Sequence, residues 1–542
     1  MNKSSIPIKQ WKPSMAIKIL LCIFWIFAIV LPLIRIFSTM ASVDVLSVIQ
    51  TRKFAKALRQ SLFVSTIATL ISVGLAGLLS WAVARTNIRH KTILNTLLTV
   101  PMLIPSISHG MGLIIILGAN GWLSRLLGLD AGVYGFGGIV IGSVMYSFPV
   151  AYLMLYDVLR YEDGTPYEAA EVMGLSAKNK FFAITLPYLR KPLISVVFAT
   201  FTMIITDYGV PLMVGGKYTT LPVMMYQDVI GMLDFGKGSV IGVILLIPAL
   251  IACILDMANR DKGNASFVGK PYGIKDNRKR DTVARVVCVV IIACVFLPIG
   301  SFAILGFISK YPIDMTISLR NITQAVNMGA MKYLRNSLLI AVTVSLLGTF
   351  LAVVNAYMTA RNRTKLSYVL HLMSILSLAI PGLVLGLSYV MFFKSTPIYG
   401  TFAIIFLVNS IHFFSSPYLM AYNTFAKINE NIENVGSTMG ISKWKIIRDV
   451  LLPQSTGTII EMMSYFFVNC MMTISAVSFL ANVGNKPIAL MITQFEGQMQ
   501  IECAAFVSLI ILCVNVAMKY IVFLVKKRLG KLSKTHVACT KY

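Results

Sequence analysis

The amino-acid sequence predicts an all-α polytopic membrane protein, with 12 transmembrane helices arranged as two parallel six-helix repeats. Composition indicates the membrane, because 57% of the 542 residues are hydrophobic and only 13% are charged. A soluble chain carries about 25% charged residues. Phrases that return at a constant spacing along the chain indicate the repeat.

Twelve apolar runs are long enough to cross a bilayer, which takes about 20 mostly apolar residues in a helix. The runs are continuous and do not alternate with polar residues, which favours helices over a β-barrel. The first run lacks a small-residue cleavage pattern, so we expect it to be retained as a span. The runs are 18–37, 60–84, 94–118, 137–159, 190–213, 237–257, 283–308, 336–360, 366–393, 400–423, 456–481 and 502–526.

The formal net charge of +27 is informative about topology. Most Lys and Arg residues fall in the segments on one side of the expected membrane, including the cluster Arg278-Lys279-Arg280 and the C-terminal tail. This bias predicts that both termini are cytoplasmic and that basic side chains contact anionic lipid. We therefore expect a multi-pass plasma-membrane protein whose partner is the lipid bilayer and not nucleic acid.

Two related halves make up the chain. The phrase at 58–62 returns 276 positions later at 334–338, and the phrase at 152–154 returns 266 positions later at 418–420. Because each half contains six spans, an even number, the halves have the same orientation and are related by an axis along the membrane normal. The expected parts are a first domain at 1–257, a cytoplasmic linker at 258–282 and a second domain at 283–542.

A polar loop at residues 160–189 separates two spans of the first half and has the pattern of two short helices. Thr165 and Glu168 predict a capping box at the start of the first helix. Gly174 predicts a left-handed stop at its end, and Ser176 predicts the N-cap of the second helix. This arrangement places a helical elbow beneath the membrane.

The second short helix of this loop is expected to run to Leu186 and to end before Pro187. Ala169 and Ala170 are expected to leave a smooth face that another protein can approach closely. We interpret the loop as a handle for a soluble partner. An ordinary amphipathic loop at the membrane interface is the alternative, which the repetition of the loop disfavours.

The second half has a related loop at residues 424–455, which keeps Gly440 and Pro453. Asn431 stands in the position of Thr165 and is expected to cap the helix, while Glu433 favours the helix dipole. Asn434-Val435-Gly436 replaces Glu168-Ala169-Ala170, so the capping box is lost. We therefore expect two elbows that are not equivalent.

The pattern E-A-A-x3-G-x9-I-x-L-P, in the loop before the penultimate span of a six-span unit, resembles the binding-protein-dependent ABC transporter permeases of bacterial inner membranes. The copy at 168–187 matches at each defined position, and the second copy matches at the glycine and the Val-x-Leu-Pro ending. The resemblance implies the type I ABC importer permease fold and a loop that couples to an ATPase. The implied coupling residues are Glu168, Ala169, Ala170, Gly174, Leu186 and Pro187 in the first loop and Glu433, Gly440 and Pro453 in the second.

The resemblance also implies the partners, which are two ABC ATPase subunits and an external binding protein that delivers a small-molecule solute. We expect no cofactor in this chain, with ATP and Mg bound by the partner ATPase, because the sequence has no G-x-x-x-x-G-K-[ST] phosphate loop. The five histidines lack metal-ligand spacing, so no metal site is expected. The chain is expected to be a permease subunit and not an enzyme.

A narrower resemblance concerns the solute. The phrases at 206–211, 380–386 and 465–469 are similar to those of fused permeases for 2-aminoethylphosphonate uptake. Fused ferric-iron permeases share parts of these phrases. The resemblance implies uptake of 2-aminoethylphosphonate or a related phosphonate, with ferric iron as the alternative.

Candidate residues for a translocation path come from charges and breaks within the spans. Asp207 beside a glycine and a proline indicates an interrupted helix, and it either lines the path or lies near the interface. Proline at matching repeat positions either lines a central path or kinks a packed helix. For Glu461, near the inner end of its span, an interfacial charge is the favoured interpretation. The candidates are Asp207, Tyr208, Pro105, Pro381 and Ser475.

The expected mechanism is alternating access, in which ATPases move the two elbows as levers. An ion-coupled secondary transporter is the rival function, since such proteins also often have twelve spans in two parallel halves. A membrane scaffold or sensor without a transport path is a further alternative. Association with an ATPase distinguishes both from the importer.

Overall fold

The computed structural model describes residues 12–128, 133–259, 270, 272–429 and 431–539. This part of the chain is almost entirely helical, as the sequence predicts. The helices of the first half are α1 Lys12–Trp25, α2 Leu31–Ala41, α3 Val45–Ile49, α4 Arg52–Ala84, α5 Lys91–Thr99, α6 Ser106–Leu117, α7 Trp122–Leu127, α8 Phe136–Arg160, α9 Thr165–Val172, α10 Ala177–Lys180, α11 Leu186–Ile205, α12 Gly209–Val214, α13 Leu221–Tyr226 and α14 Phe235–Asn259.

The second half begins with α15 and ends with the longest helix described, α26. Its elements are α15 Arg278–Leu305, β1 Ile308–Lys310, β2 Asp314–Ile317, α16 Arg320–Asn327, α17 Ala330–Ala360, α18 Lys365–Leu376, α19 Gly382–Phe393, α20 Phe402–His412, α21 Ser415–Lys427, α22 Asn431–Thr438, α23 Lys443–Ile446, α24 Leu452–Met472, α25 Leu490–Gly497 and α26 Ile501–Cys539. The two strands form an antiparallel hairpin, which is the only sheet in the described residues and which the sequence analysis did not anticipate.

Most of the expected membrane spans are present. Within the described ranges, 9 helical stretches are long and apolar enough to cross a membrane, and two bent pairs raise the number to 11. The pairs bend by 109° between α18 and α19 and by 54° between α20 and α21. The twelfth expected span, at 456–481, corresponds to α24, which is long enough but less apolar than the others.

Two expected spans are broken at proline. The run at 94–118 divides at Pro105, and the run at 366–393 divides at Pro381, in each case after a short 3-10 turn. Both prolines have extended backbone, with ψ of 147° and 141°. A proline lacks the N–H that would continue the helix and its ring restricts the preceding residue, so the helix axis changes direction there.

The first helices of the two halves are exchanged in space. Tyr389 Oη of α19 donates to the carbonyl of Ala28, between α1 and α2, at 2.7 Å. In the opposite sense, Pro298 of α15 lies against Gly112 of α6, where a Cβ would be 2.8 Å from the Pro298 carbonyl oxygen. Each sequence domain therefore packs its first helix against the other domain, and the two domains share one core.

The expected linker at 258–282 is shorter in the structure, because α14 extends to Asn259 and α15 begins at Arg278. Asn277 caps α15 by accepting from the Arg280 N–H at 3.1 Å. Residues 260–269 and 271 lie outside the described residues. The remaining linker residues, 270 and 272–277, lie against the first polar loop, and we call them the strap.

Candidate functional site

The first polar loop folds as two short helices joined at a glycine, as predicted. At the end of α9 the Leu175 N–H donates to the Ala170 carbonyl at 2.9 Å, which is the long hydrogen bond of a Schellman motif. Gly174 closes the motif with φ of +72°. Ser176 caps α10 by accepting from the Asn179 N–H at 3.3 Å. We call residues 163–180 the first elbow.

The start of the first elbow corrects the prediction, since Thr165 does not cap α9 and no capping box with Glu168 forms. The N-cap residue is Gly164, and Asp163 before it accepts with Oδ1 from the Thr165 N–H at 3.0 Å and from the Thr165 hydroxyl at 2.8 Å. These bonds, the backbone one first, lower the pKa of Asp163. The Glu168 carboxylate instead pairs with Lys270 of the strap at 2.6 Å.

The second polar loop repeats this geometry. Ile441 N–H donates to the Gly436 carbonyl at 2.8 Å, and Gly440 has φ of +72°. Ser442 caps α23 by accepting from the Lys445 N–H at 3.3 Å. Gly440 thus ends a short helix, as predicted. We call residues 429–446 the second elbow.

The cap of the second elbow also corrects the prediction. Asn431 is the first residue of α22, and Asn429 Oδ1 accepts its N–H at 2.9 Å. Asn429 lies 266 positions after Asp163, so both elbows begin with the same side-chain turn. In each half the sequence analysis assigned the side-chain acceptor two residues too late, because an Asx side chain before the helix can accept the N–H two residues ahead as well as a Thr or Asn at the N-cap can accept one.

The prediction that the second short helix ends before Pro187 was wrong. The helix continues through a π-helical turn at Phe181–Thr185 into α11, where the Leu186 N–H donates to the Phe181 carbonyl. The second half has the same turn at Ile447–Leu451, followed by Pro453 in α24. The wider turn gives room for the proline ring, so each elbow is continuous with a membrane helix and can transmit a movement to it.

The surface of each elbow differs from the smooth alanine face that the sequence predicts. Ala169 is exposed, but Ala170 is buried at 6% exposure. Gly436 occupies the position of Ala170 and touches Ile446 so closely that a Cβ would collide with it. Of the remaining candidates, Leu186, Pro187 and Pro453 are exposed at the start of their membrane helices.

The most exposed apolar side chains of the elbows were missed by the sequence analysis. Met173 is 77% exposed and Met439, its counterpart 266 positions later, is 70% exposed. Val172 beside the first is 90% exposed. A methionine directly before each positive-φ glycine was the available sequence signal, and flexible methionine suits adaptable binding surfaces.

A buried arginine attaches each polar loop to the neighbouring membrane helix. In the first half Arg85, at the end of α4, pairs with Glu162, and its guanidinium lies 3.7 Å from the ring centroid of Tyr272 in the strap. In the second half Arg361 donates to the carbonyls of Ile428 and Asn429 at 2.5 and 3.0 Å. Glu433 pairs with Arg361 at 3.4 Å, so this carboxylate faces the permease itself.

The candidate path residues lie where the two halves meet. Asp207 follows the end of α11, as the predicted interruption requires, and accepts from the Ser106 hydroxyl at 2.6 Å and the Val210 N–H at 3.0 Å. Tyr208 Oη lies 2.8 Å from the hydroxyl of Ser478 in the other half. Pro105, directly before Ser106, is buried at its helix break.

The second half has a related contact. Gly382 follows the buried Pro381 and lies against Ser475, whose hydroxyl a Cβ at Gly382 would strike. Gly209 likewise lies against Ser106 in the first half. The breaks at the two prolines thus bring small residues from the facing loops into contact. Glu461, outside this group, pairs with Lys526, which agrees with an interfacial position.

Comparison with known proteins assigns the family. The model of the binding-protein-dependent transport system inner membrane component matches residues 73–258 and again residues 348–531. The chain is 25% identical over 501 residues to the ferric transport system permease protein FbpB of Actinobacillus pleuropneumoniae, with 87% of this chain and 72% of that protein covered. It is 21% identical over 467 residues to the thiamine transport system permease protein ThiP of Escherichia coli, with 84% and 86% covered.

A shorter relative is matched over less than half of the chain. The molybdenum transport system permease protein ModB of Azotobacter vinelandii is 26% identical over 217 residues, which are 39% of this chain and 96% of that protein. The two matched segments carry the paired elbows and most of the membrane helices described above. The chain belongs to the binding-protein-dependent transport system inner membrane component family, as a fused two-domain, multi-pass permease of an ABC importer in the bacterial inner membrane.

Proposed function

We propose that two ATPase subunits dock on the two elbows and drive alternating access between the halves of this permease, which imports a solute delivered by an external binding protein. The observation that carries the proposal is the pair of matched elbows. Each has a left-handed glycine, an exposed methionine and a continuous π-turn connection to a membrane helix. ATP and Mg are bound by the ATPases, and both termini lie with the elbows in the cytoplasm.

The translocation path runs between the halves, past Asp207, Tyr208 and Ser475. In support, Asp207 is a carboxylate at the junction of the halves whose known partners are a hydroxyl and backbone N–H groups, with no basic side chain among its described hydrogen bonds. An ionisable group within a membrane-spanning bundle is costly unless it faces protein or a water-filled route. The helices are interrupted at Pro105 and Pro381, beside these residues.

For the solute we propose 2-aminoethylphosphonate or a related phosphonate, on the basis of the sequence phrases around Asp207 and Pro381. Ferric iron is the second candidate. Its support is the similarity to a ferric transport system permease over most of the chain. The external binding protein makes most of the selection under either candidate. The permease needs only a path of suitable width and polarity.

Reconstitution tests the importer. The permease is purified with the ABC ATPase and the binding protein encoded in the same gene cluster and is placed in proteoliposomes. We expect uptake that requires ATP on the side of the elbows and that stops when the ATPase is omitted. Uptake driven by an imposed ion gradient without the ATPase would instead support the secondary transporter.

The solute is tested separately, by isothermal titration of the binding protein. We expect binding of 2-aminoethylphosphonate and ATP-dependent accumulation of that compound in the same vesicles. Binding and uptake of Fe(III) alone would replace the phosphonate by ferric iron and leave the importer unchanged.

A further inference from the structure

The strap covers one elbow only. The Gly164 N–H donates to the Lys270 carbonyl at 2.7 Å, which joins the strap to the start of α9 by its backbone. The Tyr272 ring lies edge-on to Tyr167 of α9 with centroids 4.8 Å apart, and it also covers Arg85. These contacts fix the strap against the first elbow over several residues. Among the described residues, the strap makes no hydrogen bond or ion pair with the second elbow.

Two lysines of the strap neutralise the two carboxylates of α9. Lys270 pairs with Glu168 at 2.6 Å, and Lys275 pairs with Glu171. Lys180 of α10 is a further, more distant partner of Glu171 at 3.7 Å. The hydrogen bond from Lys275 also lowers the pKa of Glu171, which keeps that group ionised.

The second elbow has neutral side chains at the same two positions. Asn434 lies 266 positions after Glu168, and Ser437 lies 266 positions after Glu171. Both are exposed, as the two glutamates are. The first elbow therefore presents two carboxylates with two lysines, where the second elbow presents an amide and a hydroxyl.

We propose that the strap lysines Lys270 and Lys275 are part of the first ATPase-docking surface, where they neutralise the two carboxylates at the positions that are uncharged in the second elbow. The partner is an ATPase with one kind of groove, which can then accept both elbows. This inference rests on the proposed function, since it names the surface that the ATPase contacts.

Electrostatics explain why the lysines matter only in the complex. Glu168 and Lys270 are 54% and 62% exposed, and an ion pair in water contributes little. When a groove covers the elbow, a carboxylate without a partner must lose its hydration, which is costly. A lysine already beside it within the same chain removes that cost, so the groove needs no basic residue of its own.

The test measures ATPase binding to full-length permease in nanodiscs, by titration and native mass spectrometry, with the ATPase of the same gene cluster as the probe. For K270A/K275A we expect one of the two binding events to weaken roughly tenfold, which corresponds to about 1.4 kcal/mol. Adding E168N/E171S to that variant copies the second elbow, and we expect near wild-type binding at both sites. K279A, which changes an exposed lysine just beyond the strap, serves as the matched control.

The outcomes separate the inference from the proposed function. Wild-type binding at both sites in K270A/K275A overturns the inference but does not contradict the proposed importer. Tighter binding also overturns the inference, because the strap would then inhibit docking. Failure of the four-fold variant to recover also overturns it. Because the four-fold variant lacks the same lysines, its recovery excludes misfolding as the cause of the loss. A wild-type permease that binds no ATPase contradicts the proposed function itself.

Discussion

Arg85 and Glu162 form an ion pair in which both side chains are almost completely buried, at 5% and 3% exposure. Arg361, 276 positions later, keeps the arginine in the second half, but Ile428 stands in the place of Glu162. The second carboxylate comes instead from Glu433, five positions further along the chain, at 3.4 Å from Arg361. Both halves therefore hold a polar loop to a membrane helix by an arginine–carboxylate pair, but the acid stands at a different position in each loop.

We predict that the position of the acid can be exchanged. In E433Y, the buried Arg361 loses its carboxylate, and we expect the free energy of unfolding to fall by about 3 kcal/mol, as when one partner of a buried pair is removed. In I428E/E433Y the acid and the tyrosine stand as in the first half, and we expect most of the stability to return. Thermal unfolding in detergent and limited proteolysis of the 424–455 loop measure the effect.

R448A is the control for this exchange, because Arg448 pairs with Asp449 on the surface at 66% and 40% exposure. An exposed pair contributes less than about 1 kcal/mol, so little change is expected. If I428E/E433Y is no more stable than E433Y, the two halves do not share this attachment.

Local sequence patterns predicted the parts of the elbows that depend on local geometry. Gly174 and Gly440 were recognised because a left-handed helix end favours glycine whatever surrounds it. The side-chain acceptors at Asp163 and Asn429 were placed two residues late, since Ser, Thr, Asn and Asp near a helix start all offer plausible acceptors. Choosing among them requires the path of the chain before the helix.

Contacts between distant segments could not be predicted from one sequence. The pairing of Arg85 with Glu162, the exchange of the first helices and the docking of the strap each join residues far apart in the chain. The burial of Ala170 beside the exposed Ala169 depends on how α9 is rotated against its surroundings, which the local sequence does not set. The fold class and the two helical elbows were thus predictable, whereas the face that each elbow presents was not.

The glycines of the elbows provide the second prediction. At φ of +72° an L-residue with a Cβ is disfavoured by roughly 1–2 kcal/mol, so we expect G174V and G440V to distort the elbow and lower ATP-driven uptake while the protein still inserts. Asparagine tolerates this conformation, so G174N and G440N are expected to retain most activity. Uptake and ATPase activity in proteoliposomes are the measurements. Equal activity of the valine and asparagine variants at one site would contradict the role of the backbone there.

The third prediction concerns the exposed methionines. In M173D and M439D a charge replaces an apolar side chain at the tip of an elbow. We expect each substitution to weaken ATPase binding by roughly 1–2 kcal/mol, about tenfold. The reason is that apolar anchors at the centre of an interface carry much of the affinity. The fold should be unaffected, since both side chains are mostly exposed. M331D changes a methionine of 56% exposure outside both elbows and is expected to bind normally. Normal binding by M173D/M439D would remove these side chains from the docking surface.

The fourth prediction concerns the small residues at the junction of the halves. Ser106 lies against Gly209 in the first half, and Gly382 lies against Ser475 in the second, with serine and glycine exchanged. In G382S two side chains compete for one space, and we expect a loss of about 1–3 kcal/mol in the free energy of unfolding, as for other overpacked cores. In G382S/S475G the first-half arrangement is copied, and we expect recovery of both stability and uptake. G457S, at a position with open space around the glycine, is the control. Recovery of stability without uptake would assign Ser475 to the path, because packing would be satisfied while its hydroxyl is missing from that position.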